Sequence, residues 1–259
     1  MAGGLIVVAA TVALASGFGA EPVAAFSTGI VDHSGNPDEL VGGGATCASC
    51  HTPALDAPTL LIAGPTAIVG GETADITVTI TGGPGTAGGL NVSVSDQAGT
   101  LIPDNVETRL SSDQITHTAA KAFVDGFASF TFQWTAPVEA GDVVIYAAGL
   151  SSDGSGDTDG DGVANASLQV AVTAPPVLGD VNCSGEANIV DALFIAQFEV
   201  GNRSDGGVCP LTDPTSELVL GQADVNNDNN ANIVDALLIA QCDTGITNVF
   251  CPPPDPPEE

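Results

Sequence analysis

Hydrophobic and polar residues alternate in a series of short segments between residues 61 and 174. Segments 74–80 and 89–94 alternate over a full strand length, and the pattern returns at 129–134, 143–146 and 168–172. Gly, Asp and Pro separate the segments. Because a period of two buries one face of each strand, this spacing predicts an antiparallel β-sandwich. We expect Trp134 to lie in the core of this sandwich rather than to relay electrons.

A second pattern begins after residue 178. Residues 189–196 and 233–240 are apolar except for one Asp in each, which predicts two helices without a proper polar face. Each helix follows an Asp- and Asn-rich loop, and the whole unit returns 44 residues later. Packing the two helices together covers only one side of each. The remaining apolar surface therefore predicts a partner.

The charge balance limits the choice of partner. Asp and Glu number 32 against three basic residues, for a formal net charge of -29. Such a chain repels the phosphates of nucleic acids and the headgroups of anionic lipids, so we expect no nucleic-acid partner. Its natural ligands are cations, calcium above all.

The ends and joints of the chain complete the predicted organisation. Residues 1–25 are uncharged up to Glu21 and contain an apolar run, which predicts a signal peptide, although a basic n-region is missing. An uncleaved membrane anchor is the alternative. In either case we expect the rest of the chain to be secreted or held at the cell surface. Residues 175–178 form a stiff linker, and residues 252–259 a Pro- and acid-rich disordered tail.

The segment 26–60 holds the most specific motif, Cys47-Ala48-Ser49-Cys50-His51, in a loop-like arm. Cys-x-x-Cys-His attaches c-type haem: the two thiols form thioether bonds and the adjacent imidazole binds the iron. We therefore predict one covalent haem c at Cys47, Cys50 and His51. The alternatives are a disulfide between the two cysteines and half of a zinc site, with His33 as the nearby further ligand.

The sixth iron ligand of such a haem is commonly Met or His. The one methionine is Met1, in the leader. The choice narrows to His117, to His33 or to an open position, and we favour His117 because it lies in an apolar-polar segment of the predicted sandwich. Ligation by two histidines predicts a low reduction potential.

The two Asp- and Asn-rich loops have the ligand spacing of calcium sites. Oxygen-bearing side chains stand at positions one, three, five, nine and twelve, and a backbone carbonyl at position seven completes the set. Position six is Gly185 or Asn229, which both tolerate a left-handed turn. The predicted ligands are Asp180, Asn182, Ser184, Glu186 (carbonyl), Asn188 and Asp191 for the first ion, and Asp224, Asn226, Asp228, Asn230 (carbonyl), Asn232 and Asp235 for the second.

The second loop has three carboxylates among its predicted ligands and the first has two. We therefore expect the second loop to bind calcium more tightly. Calorimetric titration of the metal-free protein tests the order, and filling of the first loop before the second would contradict it. The alternative for both loops is an acidic turn repeated without metal. A third acidic run, 157–162, has Leu168 at position twelve and is interpreted as a turn between strands.

Asp rather than Glu at position twelve, in duplicated loop-helix units, resembles type I dockerin domains. The resemblance covers residues 179–251 and implies a small all-α domain with two Ca²⁺ ions. It also implies that positions ten and eleven contact a cohesin-type module. Carried over, these positions are Ile189, Val190, Ile233 and Val234. Because the two pairs are identical, either helix would dock. The alternative is that these residues pack on the chain's own β-domain, and self-assembly is also open.

A second resemblance covers residues 26–172. The haem motif, the later His117-Thr118 and the segments 134–137 and 144–149 are similar to the Reeler-like "choice-of-anchor" domains of bacterial surface proteins. That family combines a Cys-x-x-Cys-His arm with an immunoglobulin-like sandwich and a later histidine, which corresponds to His117. The resemblance implies a sandwich over residues 61–174 behind the arm.

Four further cysteines are expected to form two disulfides outside the cytoplasm. Antiparallel helices would bring Cys183 near Cys242, which leaves Cys209 for Cys251. Four cysteines permit three connectivities, so this pairing is one hypothesis among them.

These observations favour a secreted mono-haem cytochrome-like electron carrier, tethered through a calcium-loaded dockerin, rather than an enzyme. No triad, phosphate loop or acid-base pair argues for hydrolysis or group transfer. An electron carrier of this kind implies a redox partner of unknown identity. The alternative is a structural or adhesion module in which haem, or a disulfide at Cys47 and Cys50, only stabilises the fold. Peroxide chemistry at an open iron face is a third reading.

Overall fold

The structure is a computed structural model that describes residues 27–39 and 43–251. The predicted signal peptide at 1–25 and the predicted tail at 252–259 lie outside the described residues. The chain divides into two compact units. The first ends at Val172 and leaves out residues 138–140, and the second consists of those three residues and the chain from Thr173 onward. In the part of the chain that the structure describes, no helix is long and apolar enough to cross a membrane.

The first unit consists of β-strands. They are β1 (Thr52–Pro53), β2 (Thr59–Ala63), β3 (Ala67–Val69), β4 (Thr73–Thr81), β5 (Ala87–Val94), β6 (Thr100–Pro103), β7 (Thr108–Ser111), β8 (Gln114–His117), β9 (Lys121–Ala122), β10 (Phe127–Thr135), β11 (Gly141–Ser152) and β12 (Asp159–Thr173). The five alternating segments of the sequence all lie in strands, namely β4, β5, β10, β11 and β12.

The strands of the first unit form two sheets within the described residues. One has the order β1-β12-β11-β5-β8-β7, with β3 also paired to β12 and β9 to β5. The other has the order β2-β4-β10-β6. The long central pairs, β4 with β10 and β5 with β11, are antiparallel. The prediction of a mainly β chain built around an antiparallel sandwich is confirmed.

Inward-facing residues of both sheets form one core. Ile76, Val78 and Ile80 alternate with more exposed neighbours along β4, as a strand with one buried face requires. Trp134 on β10 is fully buried, and its Nε1 donates to the carbonyl of Ala98 at 3.0 Å. The indole therefore belongs to the core, as predicted, with its polar atom satisfied.

The second unit contains the two helices, α1 (Ile189–Glu199) and α2 (Ile233–Asp243). Asn188 and Asn232 cap them, and Asp191 and Asp235 complete a capping box in each case. Two short strands, β13 (Ser204–Asp205) and β14 (Glu217–Leu218), pair in parallel between the helices in sequence. The buried faces of α1 and α2 share a small core with residues of the loops, which includes Val181, Ile195, Leu218, Val225 and Ile239.

The predicted disulfide pairing is wrong. Cys183 is bonded to Cys209, with the Cα atoms 5.7 Å apart, and Cys242 is bonded to Cys251, with the Cα atoms 5.3 Å apart. The prediction assumed that Cys183 and Cys242 meet where antiparallel helices begin and end. In the structure each cysteine pairs instead with the connecting segment that follows its own repeat, so each bridge closes within one half of the unit.

Two boundaries differ from the sequence reading. Strand β2 begins at Thr59 and so crosses the expected border between arm and sandwich at residues 60 and 61. Strand β12 begins at Asp159, so four of the six residues of the acidic run 157–162 lie in a strand rather than in a turn. The reason is that β12 extends beyond the sandwich core and pairs there with β1, next to the haem motif.

Candidate functional site

Polar side chains of β5 hold the segment 27–39 against the sheet. The backbone N–H of His33 donates to Asn91 Oδ1 at 2.9 Å. Ser93 Oγ lies 2.8 Å from Ser34 Oγ and accepts from Asn36 Nδ2 at 3.0 Å. Because Asn91, Ser93, Ser34 and Asn36 are all buried, these bonds satisfy polar groups that would otherwise be costly. The arm is thus attached to the sandwich by its own side chains.

The haem motif forms a tight turn. Residues Cys47–Ser49 make a 3-10 helix capped by Thr46. The carbonyl of Cys47 accepts from the backbone N–H groups of Cys50, at 3.2 Å, and of His51, at 3.0 Å. This turn brings both thiols and the imidazole to the same pocket.

A short parallel strand pair secures the chain directly after the motif. Strand β1 pairs with the beginning of β12. The N–H of Thr52 donates to the carbonyl of Thr158 at 2.8 Å, and the N–H of Ala54 donates to the carbonyl of Asp161 at 2.7 Å. His51 therefore emerges next to the acidic start of β12.

His51 is paired with a buried carboxylate. Its Nδ1 lies 2.6 Å from Oδ2 of Asp161, a residue that is only 1% exposed. The other carboxylate oxygen, Oδ1, accepts from the backbone N–H of Asp153 at 2.9 Å. Because Nδ1 is engaged by Asp161, Nε2 is the nitrogen of His51 available to ligate a metal.

His117 is the last residue of β8 and is buried. Its Nδ1 lies 3.0 Å from the backbone N and 3.1 Å from the carbonyl O of Leu90. A Cβ atom at Gly89 would lie 2.7 Å from Cε1 of His117, so glycine at this position leaves the space that the imidazole occupies. The backbone of β5 therefore fixes the position of this ring.

All of the predicted haem residues line one pocket. Cys47, Cys50, His51 and His117 meet there although residues 50 and 117 lie on the arm and on the sandwich. His33 lines the same pocket, and its Nδ1 lies 2.8 Å from the carbonyl of Val31. The pocket encloses about 50 Å³. The remaining lining residues are Gly29, Ile30, Gly89, Leu90, Asn91 and Leu150.

Cys47 and Cys50 are free thiols and are not bonded to each other. The pKa of the Cys47 thiol is raised to about 12, chiefly by desolvation, while a backbone hydrogen bond lowers it and the charge of Cys50 raises it. A reactive dithiol needs a lowered pKa, because the thiolate is the nucleophile. The site therefore lacks the activation expected of a thiol-disulfide catalyst.

This raised pKa predicts slow alkylation of Cys47 in the haem-free protein. With a pKa of about 12 instead of the ordinary ~8.5, the thiolate fraction at pH 8 falls by roughly three orders of magnitude. In the variant Cys50→Ser, which keeps Cys47 as a single free thiol, we expect iodoacetamide to react roughly a thousandfold more slowly than with an exposed cysteine peptide. Alkylation at the peptide's rate would contradict the raised pKa of Cys47.

The two repeated loops have the same backbone structure. In the first, Asp180 accepts from the N–H groups of Ser184, at 2.9 Å, and Gly185, at 2.7 Å. In the second, Asp224 accepts from those of Asp228, at 3.0 Å, and Asn229, at 2.7 Å. Gly185 and Asn229 have φ values of 98° and 67°, the left-handed turn that the sequence pattern predicts at position six.

The other predicted loop ligands are also joined by hydrogen bonds within their own loop. Asp191 accepts from the N–H groups of Asn182 and Asn188, at 3.0 and 2.9 Å, and Asp235 accepts from that of Asn232, at 2.9 Å. The carbonyls of position seven accept from side chains of the same loops: that of Glu186 from Ser184 and Asn188, and that of Asn230 from Asn232. Asn226 accepts from the N–H of Asp228 at 2.8 Å.

These loops bury negative charge without a basic partner. Asp180, Asp191 and Asp235 are buried. Burial raises the pKa of Asp191, and the charge of Asp180 raises it further, while backbone N–H groups lower it. Within the described residues, the ion pairs join His51 to Asp161 and Lys121 to Glu107, and neither involves a loop carboxylate. Uncompensated carboxylates of this kind favour a bound cation.

Preformed metal clusters are absent from residues 27–39 and 43–251, in that no group of three or more His, Cys, Asp or Glu side chains is arranged to hold an ion. In the loops, the carboxylate oxygens accept hydrogen bonds from backbone N–H groups. The other predicted calcium ligands are amide, hydroxyl and carbonyl oxygens.

An apolar groove runs between α1 and α2. Ile189 and Val190 are 51% and 43% exposed, and their counterparts Ile233 and Val234 are 56% and 48% exposed. The groove has a volume of about 590 Å³. Its lining consists of five residues of α1 and the five at the same positions of α2: Ile189, Val190, Ala192, Leu193, Ala196, Ile233, Val234, Ala236, Leu237 and Ala240.

Comparisons with known proteins add little. No family model matches the chain, and no curated protein matches it. Two solved structures of the CARDB domain of PF1109 from Pyrococcus furiosus are 16% and 18% identical, with TM-scores of 0.31 and 0.29, and cover 47% and 48% of this chain and 99% of their own. The PKD domain of an M14-like peptidase from a Thermoplasmatales archaeon is 18% identical over 46% of this chain and 96% of its own, with a TM-score of 0.25. We draw no functional conclusion from scores this low.

Proposed function

We propose that this chain is a secreted mono-haem, c-type cytochrome-like protein that transfers single electrons and is tethered to an extracellular assembly by a calcium-binding, dockerin-like unit. The observation that supports the haem best is the meeting of Cys47, Cys50, His51 and His117 in one pocket. The disulfides of Cys183 and Cys242 support an oxidising, extracytoplasmic location.

Each residue of the pocket has a distinct role in this proposal. Cys47 and Cys50 would hold the haem covalently, and His51 would be its proximal ligand through Nε2. His117 would be the distal ligand, because its ring is fixed by Leu90 and Gly89 on a strand of the sandwich. His33 is the competing ligand from the arm. Bound haem supplies an iron that cycles between two oxidation states one electron apart.

The thiols and imidazoles of the pocket are groups that hold haem, but the pocket is small. About 50 Å³ is far below the ~300–1,000 Å³ of sites that enclose a small molecule. The turn that carries Cys47 and Cys50 must therefore stand further from β5 when haem is attached. The raised pKa of the Cys47 thiol has the same consequence, because a thiol with a small thiolate fraction is a poor nucleophile. Attachment is expected before the arm docks.

Two calcium ions would occupy the repeated loops. A Ca²⁺ ion would supply the positive charge that Asp180, Asp191 and Asp235, all buried, do not receive from a basic side chain of residues 27–39 and 43–251. It would replace part of the hydrogen bonding that now satisfies these carboxylates. The resemblance to type I dockerins supports the same assignment, with the ligands given above for each loop.

The groove between α1 and α2 would bind a cohesin-type module. Its two halves carry the same residues at the same positions, so the partner meets an equivalent surface in two orientations. Exposed aliphatic side chains at Ile189, Val190, Ile233 and Val234 provide the apolar contact area that such docking needs.

This duplication predicts how substitutions combine. Val190→Asp or Val234→Asp alone should weaken binding to a panel of cohesin modules only about twofold, because one of two equivalent modes survives. The double variant should lose at least about thirtyfold, equivalent to ~2 kcal/mol. Surface plasmon resonance on the full chain measures both. Val249→Asp is the matched control, since Val249 is 89% exposed and lies outside the groove. A double variant no weaker than its singles would contradict the proposal.

The optical spectrum of the exported protein tests the electron-transfer function. Six-coordinate haem that is reduced and reoxidised rapidly would support it, and five-coordinate haem would favour peroxide chemistry instead. The second candidate is a structural surface module. It is favoured by the hydrogen bonds of Ser34 and Asn36, which join the arm to Ser93 of β5. Exported protein without haem would favour this candidate.

A further inference from the structure

One acidic residue of the run 153–161 differs from its neighbours. Asp153, Asp157 and Asp159 are exposed, as expected of an acidic turn. Asp161 is 1% exposed, and burial of a carboxylate requires compensation by hydrogen bonds or positive charge. The sequence pattern of this run does not single it out, and the proposed function assigns it no role.

Both carboxylate oxygens and the backbone carbonyl of Asp161 lie within hydrogen-bonding distance of a partner. Two of the three partners, His51 and Ala54, belong to the arm. Oδ2 lies 2.6 Å from His51 Nδ1, and Oδ1 accepts from the N–H of Asp153 at 2.9 Å. The backbone carbonyl accepts from the N–H of Ala54, three residues after His51, at 2.7 Å. One residue of β12 therefore fixes both the ring of His51 and the chain that follows it.

We propose that Asp161 is a positioning residue for the proximal histidine: its carboxylate holds the Nδ1 proton of His51, directs Nε2 to the iron and makes the imidazole a stronger electron donor. This inference rests on the proposed haem site. A carboxylate hydrogen-bonded to a metal-ligating histidine fixes its tautomer and raises its basicity. A more basic ligand stabilises the ferric over the ferrous state and so lowers the reduction potential.

The electron step needs no further reactant at this pair. Bound haem would exchange one electron with the redox partner, while His51 and Asp161 would form and break no covalent bond and would keep the Nδ1 proton between them. Asp161 would act on the iron through His51. Its effect is therefore a difference in stabilisation between the two oxidation states, which a potential measures directly.

The test compares two substitutions that remove the same charge from the same run. Asp161→Asn keeps the shape of the side chain but weakens the bond to His51, whereas Asp159→Asn changes an exposed carboxylate of the same strand end. We expect the potential of Asp161→Asn to rise by a tenfold change in the one-electron equilibrium, which is 59 mV, with covalent haem retained. Asp159→Asn should move it much less.

Nitrogen-15 NMR of the full chain expressed without haem gives an independent readout. The Nδ1-protonated tautomer of His51 is expected in the wild type, and a mixture of tautomers in Asp161→Asn. This measurement keeps the inference testable if the variant fails to attach haem. An Nε2-protonated His51 in the wild type would overturn it.

The outcomes separate this inference from the proposed function. Equal potentials in Asp161→Asn and Asp159→Asn overturn the role of Asp161 and leave the haem site intact. A wild-type protein exported without haem overturns the proposed function, and the tautomer of His51 then decides whether Asp161 positions the ring.

Discussion

Chelating calcium with EGTA is expected to lower the melting temperature of the second unit by about 15 °C or more and to leave the sandwich unchanged. A ligand present at a thousandfold excess over its Kd stabilises the folded state by ~4 kcal/mol per site, and each kcal/mol shifts a domain of this size by ~4–8 °C. Without the cation, Asp180, Asp191 and Asp235 stay buried, and among the residues that the structure describes no basic side chain forms an ion pair with them. Negative charge in this position opposes folding.

The chain offers a separate reporter for each unit. Its one tryptophan, Trp134, is fully buried in the sandwich, so indole fluorescence follows the first unit. Circular dichroism at the helical band follows α1 and α2, which are the α-helices of the described residues. EGTA should lower the helical transition alone. A helical transition that EGTA does not move would contradict the calcium assignment.

A pair of matched variants locates the effect in the second loop. Asp235→Asn removes the position-twelve carboxylate, which accepts from the N–H groups of Val225 and Asn232. Asp243→Asn removes the same charge at the exposed end of α2. We expect calorimetry to detect one bound calcium ion in Asp235→Asn and two in Asp243→Asn. Two tight sites in Asp235→Asn would show that this residue is not a ligand.

His117→Ala should convert the haem from six-coordinate low spin to five-coordinate high spin. The reason is that removal of the imidazole leaves an open iron face, provided that His117 is the distal ligand. His33→Ala is the matched control, because His33 lines the same pocket but lies on the arm. Its spectrum should match that of the wild type. A low-spin spectrum that survives His117→Ala and disappears in His33→Ala would transfer the ligand to the arm.

Gly89→Ala tests the same assignment without removing the imidazole. The added Cβ would lie 2.7 Å from Cε1 of His117, so the ring must move away from its present position. We expect a partial loss of the low-spin spectrum, with wild-type haem content. An unchanged spectrum would mean that the position of His117 does not matter to the iron.

The sequence predicted the strands and the loop repeats because both have short-range periodicity. Ile76, Val78 and Ile80 alternate visibly, and the left-handed residues Gly185 and Asn229 stand at a fixed loop position. The sequence also predicted that Cys47 and His117 belong to one site, and both line the same pocket in the structure.

The sequence did not indicate what holds the arm to the sheet. Asn91 and Ser93 occupy strand positions that look like solvent-facing polar residues, yet they are buried by the arm. Asp161 lies 110 residues from His51 and is hidden among exposed acids. The predicted disulfide pairing was wrong for a related reason. Cysteine pairing depends on the paths of the connecting segments, which have no periodicity. Long-range polar contacts of this kind have no local sequence signal.

The mass of the exported protein tests the central claim most directly. Expressed together with a haem-attachment system and purified under denaturing conditions, the wild type should carry the mass of one haem, and Cys47→Ser with Cys50→Ser should carry none. Loss of the added mass in this double variant would assign the bond to the two thiols. A wild-type protein that has the mass of the polypeptide alone would contradict the account.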